Sequence, residues 1–181
     1  MSVLTHTVKG SSEGVRGPVP VASSAVAPIL RQVYLHPGDL YVSPAPANVK
    51  IIVGSCVALC IFDSRLAIGG ATHYLLPTSA AEGQRSARYG DVAIPGLLQE
   101  LTKLGSRKQD LQAHLYGGAC VLSAFSSGAR ESIGDQNIRF ANDLLARERI
   151  PIVRWDTGGS KGRKITMRTD SGEITCNLIG S

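Results

Sequence analysis

A thiol and an imidazole are the residues that this sequence brings within reach of one another. Cys56 lies in the run Ile51-Ile52-Val53-Gly54-Ser55-Cys56-Val57-Ala58-Leu59-Cys60-Ile61-Phe62, apolar and β-branched apart from Gly54-Ser55-Cys56. The run reads as a buried strand with a kink ahead of the thiol. A glycine inside a strand weakens it and marks a bulge or a close approach by another chain. The next strand, Leu66 to Leu76, carries His73, and Asp63-Ser64-Arg65 between them is short and polar enough for a tight hairpin. With Ser64 and Arg65 as the loop pair, Cys56 falls opposite His73. A loop one residue longer shifts the register by one and leaves the two as near neighbours. Opposed residues hold their Cβ atoms roughly 4.5–5.5 Å apart on one face. A thiol and an imidazole at that spacing are the parts of an activated cysteine nucleophile. They are equally the parts of an inert core, a small buried cysteine and a hydrogen-bonded histidine. Pairing alone leaves both readings open.

Composition narrows the class. The chain has 181 residues, enough for one domain with a proper core, and 43% hydrophobic content makes it globular. A formal charge of +5 and a pI near 9.2 favour an acidic partner surface. No basic run with interleaved aromatics supports nucleic-acid binding. The four cysteines, Cys56, Cys60, Cys120 and Cys176, include no Cys-x-x-Cys pair, which argues against structural zinc. Cys56 and Cys60 are too far apart along one strand for a disulfide. A metal site built from Cys56, Cys60 and His73 lacks further ligands nearby. Reduced thiols in the cytoplasm are the simplest reading. The N-terminus has no secretory signal pattern, and no apolar run reaches membrane-spanning length.

Around the Cys56 hairpin the sequence sets out the elements that must position it. Residues 1–28, rich in Ser, Gly, Val, Ala and Pro, read as a disordered leader, and residues 29–181 as a single domain. Two short strands flank the turn His36-Pro37-Gly38-Asp39, with His36 expected at the surface. Thr78 to Arg88 is a polar loop long enough to form a rim or lid. Asp91 is expected to cap a helix running to Leu104, with Pro95 in its first turn and Gly105 as terminator. Ala113 to Leu122 reads as a strand interrupted by Gly117-Gly118, and a second helix runs from the Ile133-Gly134-Asp135-Gln136-Asn137 region to Arg149, with Asn137 capping or beginning it and a role toward substrate as its less favoured reading. Ile150 to Trp155 is a strand and Asp156-Thr157-Gly158-Gly159 a tight loop. Lys164–Arg168 and Glu173–Ile179 form a closing hairpin. Many strands and two helices indicate an α+β layered fold. The paired glycines fit no phosphate loop and suggest backbones converging on one place. Lys161, Arg163 and Lys164 read as a basic cluster able to meet acidic helices.

Val53-Gly54-Ser55-Cys56-Val57-Ala58-Leu59-Cys60 resembles the signature of the chemoreceptor glutamine deamidases, the CheD family. The likeness continues in order through Gly70-Ala71-Thr72-His73-Tyr74-Leu75-Leu76-Pro77, Arg88-Tyr89-Gly90-Asp91-Val92-Ala93, Gly117-Gly118-Ala119, Ile133-Gly134-Asp135-Gln136-Asn137, and Asp156-Thr157-Gly158-Gly159 with Gly162-Arg163. It spans roughly residues 30 to 179. The resemblance implies a layered α/β/β sandwich with mixed sheets and two principal helices, similar to toxin-type deamidases. It implies hydrolysis of glutamine side chains to glutamate on methyl-accepting chemotaxis receptors, with Cys56 as nucleophile and His73 as its base, and no cofactor or metal. A CheC-type phosphatase is an implied partner; nucleic acid and membrane insertion are not. Gly54 and Ser55 are candidates for oxyanion donation or positioning beside the Cys56 main-chain N–H. The family usually has a histidine-orienting threonine a few residues before the cysteine, where this chain has Lys50 and Ile51. A backbone carbonyl, or less readily Thr72, would then have to hold the ring. A weakly active adaptor that binds receptors or CheC is the alternative, and proteolysis or transglutamination a third class.

Overall fold

The computed structural model describes residues 30–79, 86–120 and 131–180. The leader at 1–28 lies outside the described residues, as do positions 80–85 of the Thr78–Arg88 loop and residues 121 and 122 of the strand expected to reach Leu122. The first five strands are β1 (Arg31–Leu35), β2 (Leu40–Val42), β3 (Ala47–Val53), β4 (Val57–Asp63) and β5 (Ile68–Tyr74). Helix α1 (Gly90–Lys103) and a single 3-10 turn at Lys108–Asp110 lead to β6 (Leu111–Gly117). Helix α2 (Ile133–Glu148) precedes β7 (Ile152–Thr157), β8 (Arg163–Arg168) and β9 (Ile174–Leu178).

The strands sort into a four-stranded sheet, β1-β3-β8-β9, and a five-stranded sheet, β2-β5-β4-β6-β7. Both are mixed: β1–β3 and β6–β7 pair parallel, the rest antiparallel. Helices α1 and α2 cover one face of the five-stranded sheet, burying Ile94, Leu97, Leu101, Ala141 and Leu145 against Leu59, Ile61 and Leu115. Its other face meets the four-stranded sheet through Ala58, Cys60 and Tyr116 against Val49, Ile51 and Ile165. The result is the α/β/β sandwich that the sequence led us to expect.

Two corrections concern the centre. The run Ile51–Phe62 is not one kinked strand but the end of β3 and most of β4, in different sheets. Burial alternates along β3, whose outer face meets solvent, whereas β4 is buried on nearly every residue because layers cover both its faces. Both patterns are apolar, so the sequence fuses them. The bend Gly54–Cys56 is therefore a crossing between sheets. The hairpin also differs: Ser64–Ala67 forms a four-residue turn, and Ala58 rather than Cys56 faces His73. The buried carboxylate of Asp63 causes the longer loop by accepting the N–H groups of Arg65 (2.9 Å) and Leu66 (3.1 Å).

The helices need smaller adjustments. Tyr89 stands at the cap of α1 without a side-chain bond. Asp91 lies within the first turn, where its charge suits the helix dipole and it accepts the Ser79 N–H at 3.2 Å. Pro95 falls past the first turn and removes a donor that would have bonded Asp91. Ser132, not Asn137, caps α2, accepting the Asp135 N–H at 3.1 Å. Gly105 takes a positive φ of 94° just past α1, as a terminator should. The strand after α2 runs on through Asp156 and Thr157, so Gly158 and Gly159, both at positive φ, form the turn.

Candidate active site

Cys56 ends the bend between the sheets, and His73 sits near the end of β5. Since Ala58 opposes His73, Cys56 lies two residues along from that partner, a diagonal neighbour in place of a direct one. Both line one cavity of about 220 Å³ whose wall also includes Leu35, His36 and Pro37. Its rim is formed by Tyr34, Lys50, Ile52 and Lys164 on the outer face of the four-stranded sheet. The volume is below the roughly 300–1,000 Å³ of sites that enclose a whole small molecule. A single side chain presented by a larger partner suits it better.

The imidazole is held from a direction the sequence did not reveal. His73 Nδ1 lies 3.3 Å from the carbonyl oxygen of Leu35, the last residue of β1. A carbonyl only accepts, so Nδ1 carries the hydrogen and Nε2 keeps its lone pair. Nε2 is buried and has no protein partner among the described residues. The same segment grips the main chain, with His73 N–H donating to Asp39 O (3.1 Å) and Gly38 N–H to His73 O (2.7 Å). Thr72 faces away, giving its hydroxyl hydrogen to Asp39 O at 3.0 Å. Lys50 points outward beside Tyr34, its Nζ 5.3 Å from the ring centre. A carbonyl thus does the orienting, but from β1 rather than from the Lys50 region. The signal was the turn His36–Asp39, whose role depends on β1 and β2 lying in different sheets.

Electrostatics keep the pair neutral. Burial pushes the Cys56 thiol above its ordinary value of 9.0, against smaller opposing effects of its own N–H and of Ser55. Burial likewise pulls His73 below 6.5, although the Leu35 carbonyl and Asp39 partly oppose it. Cys60 is fully buried on β4, its thiol pushed up to about 12, and does not line the cavity. None of the four cysteines is in a disulfide.

Behind the bend, three segments converge as the paired glycines suggested. Gly54 O accepts from Ala119 N–H (2.7 Å), Cys56 O from Gly118 N–H (2.8 Å) and Ser55 O from Asn137 Nδ2 (3.2 Å). A Cβ on Gly117 would come 2.2 Å from Cys56 O, and one on Gly134 would come 2.2 Å from Gly118 O. Asn137 is fully buried, and its contact with the bend went unseen in the sequence because α2 lies far along the chain. The expected basic cluster divides: Lys161 and Lys164 are exposed, whereas Arg163 is buried and ion-paired with Asp156 at 2.8 Å. Strand alternation causes this, since residue 163 faces the sandwich and residue 164 faces solvent.

A family described as CheD chemotactic sensory transduction matches residues 75–178. A protein of Anaeromyxobacter dehalogenans is 43% identical over 141 residues, which is 78% of this chain and 81% of that protein. One from Sulfurimonas denitrificans is 38% identical over 146 residues, 81% of this chain and 93% of the relative. One from Trichlorobacter lovleyi is 39% identical over 145 residues, 80% and 89% respectively. Each of these relatives is named "Probable chemoreceptor glutamine deamidase". Among the described residues, no helix is long and apolar enough to cross a membrane.

Proposed function

The chain belongs to the CheD family, and on that premise we propose that it converts glutamine side chains of methyl-accepting chemotaxis receptors to glutamate. The names of its relatives support the substrate class. The observation that carries the chemistry is the shared cavity of Cys56 and His73, with Nδ1 bound to Leu35 O and Nε2 unpartnered among the described residues. A neutral imidazole with its lone pair on Nε2 is a base ready to take the thiol proton.

The reaction then runs in two halves. As sulfur bonds to the amide carbon, the Cys56 proton passes to His73 Nε2 and the carbonyl oxygen becomes an oxyanion. Collapse of that intermediate breaks the carbon–nitrogen bond, and His73 gives its proton to the departing ammonia. Water next attacks the thioester while Nε2 takes its proton. The glutamate carboxyl leaves, and the proton returns to sulfur. Main-chain N–H groups at Gly54, Ser55 and Cys56 are the candidate oxyanion donors, such donors being worth about 3–4 kcal/mol each in comparable sites. The residues require no metal or cofactor for any of these steps.

A binding-only adaptor of the same family draws its support from Lys50 at the position of the family's threonine. The hold of Leu35 O on the imidazole weakens that case, because the ring has an orienting partner without the threonine. Action on receptor cytoplasmic domains would make the protein cytoplasmic, and docking to a CheC-type phosphatase belongs to the same proposal. The test is incubation with an unmodified receptor cytoplasmic domain and mapping of products by peptide mass spectrometry. Glutamine-to-glutamate conversion by the wild type, absent in Cys56→Ala, is the expected result. Binding without conversion would select the adaptor, and a cleaved chain or amine-linked product would select other thiol chemistry.

A further inference from the structure

We propose that Asn137 is a positioning residue that aims the main-chain N–H of Cys56 at the reacting carbonyl oxygen by holding the Ser55 carbonyl from behind. The proposal rests on Cys56 being the nucleophile of the amide hydrolysis proposed above.

Three successive carbonyls of the bend are occupied, by Ala119 N–H, Asn137 Nδ2 and Gly118 N–H. In a trans peptide the C=O and the N–H point in opposite directions. Fixing the Gly54 carbonyl therefore sets the direction of Ser55 N–H, and fixing the Ser55 carbonyl sets that of Cys56 N–H. Among the described residues neither N–H donates to a carbonyl or to another residue's side chain. Two of the three clamps are main chain. Asn137 supplies the one made by a side chain.

Its placement ties both halves of the site together. The second hydrogen of Nδ2 goes to Leu75 O at 2.8 Å, two residues after His73, so one amide spans the cysteine bend and the histidine strand. The carbonyl of Asn137 itself accepts the buried Tyr74 hydroxyl at 2.8 Å, which anchors the residue on α2. Turned the other way, its side chain would set an oxygen against two carbonyl oxygens, so the donor assignment follows from chemistry. Among the described residues Oδ1 is buried with no partner. An unsatisfied acceptor in a closed layer costs stability, and an apolar residue would avoid it. Retaining the amide fits a residue placed for its donors.

The experiment compares Asn137→Ala and Asn137→Asp with wild type on the receptor substrate, with circular dichroism to establish folding. A second readout is the rate of Cys56 alkylation by iodoacetamide, a displacement that forms no oxyanion. For the alanine variant kcat should fall about 100-fold, the scale of losing an oxyanion donor, while KM and the alkylation rate stay within about threefold. The aspartate variant can donate only when protonated, so its loss should deepen as pH rises. If alanine prevents folding, the near-isosteric aspartate decides. Unchanged kcat in a folded variant would overturn the proposal. So would parallel loss of kcat and alkylation, or failure of both variants to fold, since each describes a structural residue. Absence of turnover by wild type would instead sink the deamidase reading, and the proposal with it.

Discussion

Desolvation acts on Cys56 and His73 in the same sense, toward the uncharged form of each. The thiol is raised and the imidazole lowered, so burial favours a thiol beside a neutral base over a thiolate–imidazolium pair. Alkylation of Cys56 by iodoacetamide should therefore climb about tenfold per pH unit from about pH 6, with its midpoint above 9.0. A plateau already reached near pH 6 would mean a preformed ion pair. In turnover, the acid limb of kcat/KM should fall below pH 6.5, because His73 must lose its proton to act as base and does so more readily than an ordinary histidine. Lys50 allows a second measurement at this scale. Since Leu35 O already orients the ring, Lys50→Thr should change kcat by no more than about threefold. A gain of tenfold or more would show that the imidazole had lacked a partner.

The glycines separate two demands that elements make on a backbone. Gly117, at the end of β6, has a φ of 110° and no room for a Cβ beside Cys56 O; Gly158 has a φ of 73° and, among the described residues, open space around it. Gly117→Ala should thus combine strain of about 1–3 kcal/mol with overpacking of similar size, whereas Gly158→Ala bears the strain alone. Urea denaturation should rank Gly117→Ala as the less stable, and only it should also slow Cys56 chemistry, by displacing the bend. Equal stabilities would contradict the close approach. In the sequence, Gly117-Gly118 was legible as convergence, and the helices were legible from their apolar spacing. The boundary between β3 and β4 was not, because half-buried and fully buried strands are both rich in β-branched residues. Nor was the hairpin register, which turned on Asp63 bonding two N–H groups. A thiol and an imidazole of the right types were found by assuming direct opposition; the structure joins them diagonally. Leu35 goes unmarked in the sequence and Asn137 reads there as a helix cap, since each acts across the fold, one of them through a carbonyl that every residue possesses.

At the scale of the molecule, the cavity opens on the solvent face of the four-stranded sheet, where Tyr34 and Ile52 are more than half exposed and Lys50 and Lys164 flank them. Lys164 pairs across the ladder with Ile52. It therefore sits at the rim, clear of the Leu35, Asn137 and Gly118 contacts that hold His73 and the Cys56 bend. The chain carries a formal charge of +5. An exposed charge at the edge of a binding surface acts chiefly on encounter, and salt weakens it. Lys164→Glu should accordingly raise KM for a receptor domain several-fold at low salt, leave kcat and Cys56 alkylation unchanged, and lose its effect near about 0.5 M salt. Arg163→Ala, one residue earlier, should behave in the opposite way. Its guanidinium is buried and bonds the half-exposed Asp156 and the Gly158 carbonyl, so the variant should lose stability by about 1–3 kcal/mol with no salt-dependent change in KM. The two neighbours differ because alternation along β8 turns one inward and the other outward. A Lys164→Glu variant whose KM matches wild type at low salt would mean that receptor recognition does not use this face.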